Sequence, residues 1–150
     1  MTQIQILSIG KATPEYSSLM AHWLKMTKLS ISEKVLIAPK GLKGESHKAE
    51  EAKMLGKYIT RPGVLIALDA QGRSMPSDKF AEMLQRNMDN AKPMTFMIGG
   101  AYGLDSSIIN EADLMLSLSA MTMPHLLAKL ILIEQIYRAE TINLGHPYHK

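Results

Sequence analysis

The chain has 150 residues, 46% of them apolar, which suits one compact domain with a single core and excludes a long disordered protein. No charge-free run of about 18 apolar residues is present, and the opening MTQIQILSIGK lacks a basic n-region and a small-residue cleavage site, so neither a membrane span nor a signal peptide is expected. The absence of cysteine excludes disulfides, thiolate metal sites and a cysteine nucleophile, and the chain reads as cytoplasmic.

Charge is uneven. The net +3 resolves into +4 over residues 1–60, −2 over 61–128 and +1 over 129–150. Eight lysines between Lys25 and Lys57 face four glutamates. A basic face suits a polyanion, because neutralised phosphates release counterions. An ordinary solvated surface has the same composition. The twelve methionines read as core gap-fillers.

In chain order, strands are expected at Ile4–Ile9, Val35–Ala38, Val64–Leu68, Met94–Ile98 and Leu114–Leu118. Runs such as VLIAL do not alternate, which predicts strands buried on both faces of a parallel sheet. Helices are expected at Glu15–Lys28, with Pro14 in the first turn, at His47–Ile59, at Ser77–Asn90 and at Pro124–Ile142. The alternation predicts an α/β fold, a mainly parallel sheet with helices on both faces, forming a single domain over residues 1–150. Pro39–Ser46, with two glycines and two lysines, is either a substrate-facing loop or a connector.

Ligands of open parallel sheets bind beyond the carboxyl ends of the strands. Three such ends carry unusual turn chemistry: Leu68–Arg73, Gly99–Leu104 and Ser117–His125. The sequence GGAYGL is neither G-x-G-x-x-G nor a P-loop, yet Gly99 and Gly100 would let a flat ring approach backbone closely. Ser117, Ser119 and His125 lack a G-x-S-x-G elbow, so a hydrolase triad fits poorly. His146 and His149 have no third ligand nearby in sequence, and no metal is expected.

Together, FMIGGAYGLD, LSLSAMTMPH, LILIEQIYRAETI and the terminal HPYHK, with IQILSIGK and IALDAQGR upstream, strongly resemble the RlmH family of ribosomal large-subunit pseudouridine methyltransferases. These are small SPOUT-class enzymes. The resemblance implies a C-terminal trefoil knot, a homodimer and S-adenosyl-L-methionine as cofactor. It also implies an activity, methylation of N3 of a pseudouridine in the helix 69 hairpin of 23S rRNA on assembled ribosomes. By matching motif, cofactor contacts are expected at Leu68, Gly99, Gly100, Leu118, Ser119, Ala120, Met121, Thr122 and Met123. Arg138, Tyr148 and His149 are the catalytic candidates, as groups that would assist departure of the N3 proton or stack on the base. In the family this tail approaches the partner subunit's pocket. Substrate contacts are expected at His125, Lys129 and Lys150, Lys129 standing where the family tends to carry Arg. Two other readings remain at this stage: a non-catalytic RNA- or ribosome-binding protein of the same fold, and a SPOUT methyltransferase with another RNA target.

Overall fold

The computed structural model describes residues 2–150. In chain order these form β1 (Gln3–Ile9), α1 (Pro14–Met26), β2 (Ser30–Leu36), α2 (Gly44–Gly56), β3 (Val64–Ser74), α3 (Ser77–Asp89), β4 (Met94–Ile98), α4 (Ser106–Glu111), β5 (Leu114–Ser117) and α5 (His125–Leu144). The strands make one sheet in the order β2-β1-β4-β3-β5, and every neighbouring pair is parallel.

Strand side chains alternate between the two faces of a sheet, and both faces are covered here. Ile4, Ile6, Ile66, Met94 and Phe96 pack with residues of α1, α3 and α5. Leu7, Ile9, Leu65, Ala67 and Met97 pack on the other face with residues of α2 and α4. This double burial is the physical reason that runs such as VLIAL show no polar alternation.

Differences from the expected elements have local causes. β2 lies at a sheet edge and begins at Ser30, five residues before the apolar run that suggested it. An edge strand has one pairing partner and needs no continuous apolar sequence; Ile37, past its end, is 76% exposed. β3 continues through the polar stretch to Ser74. α4 is six residues long, too short to show a helical period. Its N-cap is Asp105, whose carboxylate accepts from the Ser107 amide at 3.0 Å and hydroxyl at 2.6 Å. Those two bonds hold the Asp105 carboxyl below its ordinary pKa.

The twenty residues of α5 extend about 30 Å. The helix packs on α1 and α3 and ends at Gly145, which takes the left-handed conformation (φ 72°). Amides of Gly145 and His146 return to the carbonyls of Ile142 and Thr141, closing the last turn. Pro147–Lys150 then folds back along the C-terminal end of α5.

Candidate active site

A cleft of about 580 Å³ opens at the carboxyl ends of β3, β4 and β5 and is closed by the first turn of α5. That volume falls in the ordinary range for small-molecule sites. Three segments build its walls, and each is shaped by identifiable contacts.

The first is Leu68–Gln71. The β3–β5 register slips here, with both Leu68 and Arg73 opposite Leu116, so the intervening residues bulge toward the cleft. Gly72 permits this, because a Cβ there would lie 2.5 Å from the Met115 carbonyl oxygen. The Asp69 carboxylate accepts from the Gln71 amide at 2.8 Å and fixes the turn.

The second is the glycine loop. Gly103 donates to the Gly100 carbonyl at 3.1 Å with φ +81°, folding the loop back on itself. A Cβ on Gly99 would stand 2.8 Å from both the carbonyl carbon and oxygen of Gly103. Sequence alone suggested that Gly99 leaves room for a ligand; its missing side chain in fact leaves room for the loop's own return. The wall offered to a ligand is therefore bare backbone.

The third is Leu116–Pro124. The buried Ser117 hydroxyl lies 3.0 Å from the carbonyls of both Ala70 and Ser119, tying this segment to the first. Ser119 accepts from the Met121 amide at 3.0 Å. Both serines are engaged in holding the loop, which agrees with the poor fit of a hydrolase triad. His125 begins α5 and packs its imidazole against Gly10, where a Cβ would come within 2.9 Å of Nε2.

Of the expected cofactor contacts, Leu68, Gly99, Gly100, Leu118, Ser119, Met121, Thr122 and Met123 line this cleft. Ala120 does not; it is exposed and lies outside the cleft lining. His125 also lines it. Sequence reasoning did not assign Asp69 and Gln71, although their strand end was singled out; they add the polar side chains of the first wall.

The remaining expected residues lie elsewhere. Lys129 is not a surface contact: it is 2% exposed, donates to Ser8 Oγ at 3.1 Å and pairs with Glu33 at 3.0 Å. A helix facing the sheet turns that position inward, and Lys there joins α5 to β1 and β2. Arg138 lies ten residues beyond Ala128 of the cleft, about 15 Å along α5. It donates to Glu134 at 2.8 and 3.0 Å and to His149 Nδ1 at 3.1 Å. Guanidinium only donates, so Nδ1 accepts and a neutral His149 carries its proton on Nε2. Trp23 Nε1 donates to the Tyr148 hydroxyl at 3.2 Å, which donates to Glu134 at 2.9 Å. The Tyr148 ring stands edge-on to Tyr137, and the Arg138 guanidinium lies 4.9 Å from its centre. Burial raises the Tyr148 phenol above its usual value near 10, with Glu134 adding to the shift and the Trp23 bond opposing it. Lys150 is exposed at the terminus. Within one chain, then, the tail is assembled on α5 beyond the cleft and lines none of it.

Among the described residues, no three His, Asp or Glu side chains group as metal ligands would, and no helix is long and apolar enough to cross a membrane.

The family model described as "Predicted SPOUT methyltransferase" matches residues 2–149. Two proteins named ribosomal RNA large subunit methyltransferase H are similar over their whole length. The one from Solidesulfovibrio magneticus is 34% identical, covering 99% of both chains. The one from Campylobacter hominis is 37% identical, covering 100% of both. Among solved structures, a probable methyltransferase from Bordetella pertussis superposes with a TM-score of 0.58 at 14% identity over 92% of this chain and 94% of that one, a likeness of fold alone. On the family model and the full-length relatives, the chain belongs to the ribosomal RNA large subunit methyltransferase H family of SPOUT methyltransferases.

Proposed function

We propose that this chain is an S-adenosyl-L-methionine-dependent methyltransferase of 23S rRNA. It works as a homodimer in the cytoplasm and methylates N3 of the helix 69 pseudouridine on assembled ribosomes. In this reading all 150 residues form one SPOUT domain, and its C-terminal segment closes the family's trefoil knot around the cleft. The observation that carries the reading is the cleft itself, in which eight of the nine expected cofactor contacts meet at three strand ends.

The donor set fits the cofactor. Leu68, Ile98, Leu116, Leu118 and Met123 give apolar walls for a purine, while the loop of Ser119–Thr122 and the bare Gly99–Gly100 backbone offer donors and acceptors to its edge. Asp69 supplies a carboxylate suited to hydroxyl or ammonium groups. When bound, S-adenosylmethionine supplies a methyl group already electrophilic through its sulfonium. The protein's task is then to hold the acceptor nitrogen in line and assist loss of its proton.

In its own fold Tyr148 keeps its proton at neutral pH, and His149 Nδ1 is occupied by Arg138. In this reading Arg138 turns from His149 to present its permanent positive charge to the N3 anion, and the His149 Nδ1 it releases takes the proton. The apolar girdle of α5 supports the dimer. Leu127 and Ile131 join neither core cluster, and Leu19 on α1 and Leu144 at the end of α5 are 49% and 72% exposed.

Calorimetry with S-adenosylmethionine and methylation of ribosomes from a strain lacking the gene, read by nucleoside mass spectrometry, test the proposal. Micromolar binding and appearance of N3-methylpseudouridine are expected. A protein that binds no cofactor, or that methylates a different nucleotide, would overturn it.

A further inference from the structure

The glycine loop has a second neighbour on the side of α2. His47 and Glu51 sit one helical turn apart there, 8% and 2% exposed, with Nε2 of His47 2.8 Å from Oε2 of Glu51. They share the buried face of α2 with Ala52 and Leu55, which belong to the apolar cluster on this side of the sheet. A buried ionisable pair gives little or no stability over apolar side chains of the same size, so its presence asks for another role.

Its contacts point in one direction. The Gly100 amide faces Oε1 of Glu51 at 3.4 Å, and a Cβ on Gly100 would lie 2.5 Å from Oε2. The carboxylate is thus seated directly against the Gly100 backbone, with no room for a methyl group between them. The His47 ring lies 4.9 Å from the ring of Tyr102, at the tip of the same loop. Its Nδ1 is 3.3 Å from the carbonyl of Leu42, between Lys40 and Lys43. One buried pair therefore touches the cleft wall at Gly100, the loop tip at Tyr102 and the lysine-bearing loop.

We propose that His47 and Glu51 are positioning residues that hold the Gly99–Gly103 wall in the shape the cofactor requires and anchor the basic loop to that wall. The proposal rests on the reading of the cleft as the S-adenosylmethionine site. It assigns the pair no contact with either substrate. Its signature is a change in cofactor affinity with turnover at saturating cofactor unchanged.

The test combines amide exchange of the cofactor-free protein, calorimetry with S-adenosylmethionine and steady-state methyl transfer. Glu51→Ala is expected to speed exchange of the Gly99–Gly103 amides and weaken cofactor binding by about tenfold, the scale of one lost hydrogen bond to a charged group. Glu51→Gln, which keeps an oxygen facing the Gly100 amide, should recover most of that affinity. Gly100→Ala should weaken binding about tenfold alone but by less than about twofold in the Glu51→Ala background, where its methyl enters vacated space. Strict additivity of the two changes, or wild-type exchange and affinity in folded Glu51→Ala, would overturn the proposal. Should Glu51→Ala not fold, His47→Phe decides: it keeps the ring beside Tyr102 and loses the bond to Glu51. Unchanged cofactor affinity and loop exchange in that variant would count against the pair. If the wild-type chain binds no S-adenosylmethionine while Glu51→Ala loosens the loop, the cofactor assignment falls and the positioning role stands.

Discussion

Gly99→Ala is the most direct probe of how the cleft is built. The added methyl would sit 2.8 Å from the carbonyl carbon and oxygen of Gly103 and 3.0 Å from the Leu104 amide nitrogen, whereas ordinary contact begins near 3.4 Å. All three are backbone atoms, so no side chain can rotate away, and the loop's return strand must retreat by about 0.6 Å. Overpacking of this kind costs about 1–3 kcal/mol. Where the cost falls follows from exposure. Ala101, Tyr102 and Gly103 face solvent, so the empty loop can relax outward, and the strain is felt mainly when a ligand presses it back. At about 1.4 kcal/mol per decade, cofactor affinity should fall roughly tenfold, with an extreme near 100-fold. Calorimetry gives the affinity, and a thermal melt within about 5 °C of wild type shows that the fold persists. Gly41→Ala is the control, since Gly41, despite a positive φ (+79°) that Gly99 lacks, has nothing within 4 Å and lies outside the cleft. If Gly99→Ala bound cofactor as tightly as Gly41→Ala, the argument that Gly99 shapes the wall would fail.

Other consequences can be checked in the same preparations. Deleting Tyr148–Lys150 should leave cofactor affinity within about twofold and lower methyl transfer by about 100-fold or more, the usual range for a lost proton-transfer group; a collapse of affinity would place the tail in the cofactor site instead. The Tyr148 phenol has a raised pKa in the fold, so its contribution to tail docking is complete below the unfolded value near 10 and is lost as pH climbs through the folded value. Trp23 is the sole tryptophan and donates to that hydroxyl, so its fluorescence should shift above pH 10, and a Tyr148→Phe variant should lack the transition. Lys129→Met strands Glu33, and since that carboxylate is one-third exposed the cost should be about 2 kcal/mol by urea unfolding, below the level for a fully buried pair. Normal stability with lost RNA binding would instead restore Lys129 to the substrate surface.

How much of this could be read from sequence depended on burial. Met94–Ile98 lies in the sheet interior, flanked by β1 and β3, where apolar content and strand coincide, and its bounds agree residue for residue. The edge strand β2 is set by pairing with β1 rather than by its own side chains, so VLIA drew attention to the wrong end of it. At the site, three unusual turns marked three cleft walls, because positive φ and close backbone approach demand particular residues. Orientation within those turns was not legible: nothing local says that Ala120 lies outside the lining or that the bare side of Gly99 faces Gly103. Lys129 shows the same limit in a helix, since a long lysine reads as surface until its neighbours are known. The His47–Glu51 pair was not singled out from the sequence, where only a helix was expected; the fold places it against the glycine loop.

The distance along α5 carries the last step. The cleft lies at the first turn of that helix, and the tail docks further along it, from Glu134 (about 9 Å of helix beyond Ala128) to Arg138 (about 15 Å), with Trp23, Glu134 and Arg138 holding it in place. Docked by those bonds, the tail contributes no residue to the lining of its own chain's cleft. A two-fold dimer with α5 packed antiparallel to its copy solves this geometrically, because each C-terminal end then falls beside the partner's N-terminal end. Each site would combine one chain's cleft with the other's tail. Mixing two inactive variants tests this directly. One lacks Tyr148–Lys150, and the other carries Gly99→Val, whose larger side chain meets Gly103 more severely than alanine. After unfolding and refolding together, half the dimers are mixed, and each mixed dimer holds one intact site in two. Activity should return to about a quarter of wild type. If each site were built within one chain, no arrangement of these two variants would restore any, and recovery at background level would refute the shared site.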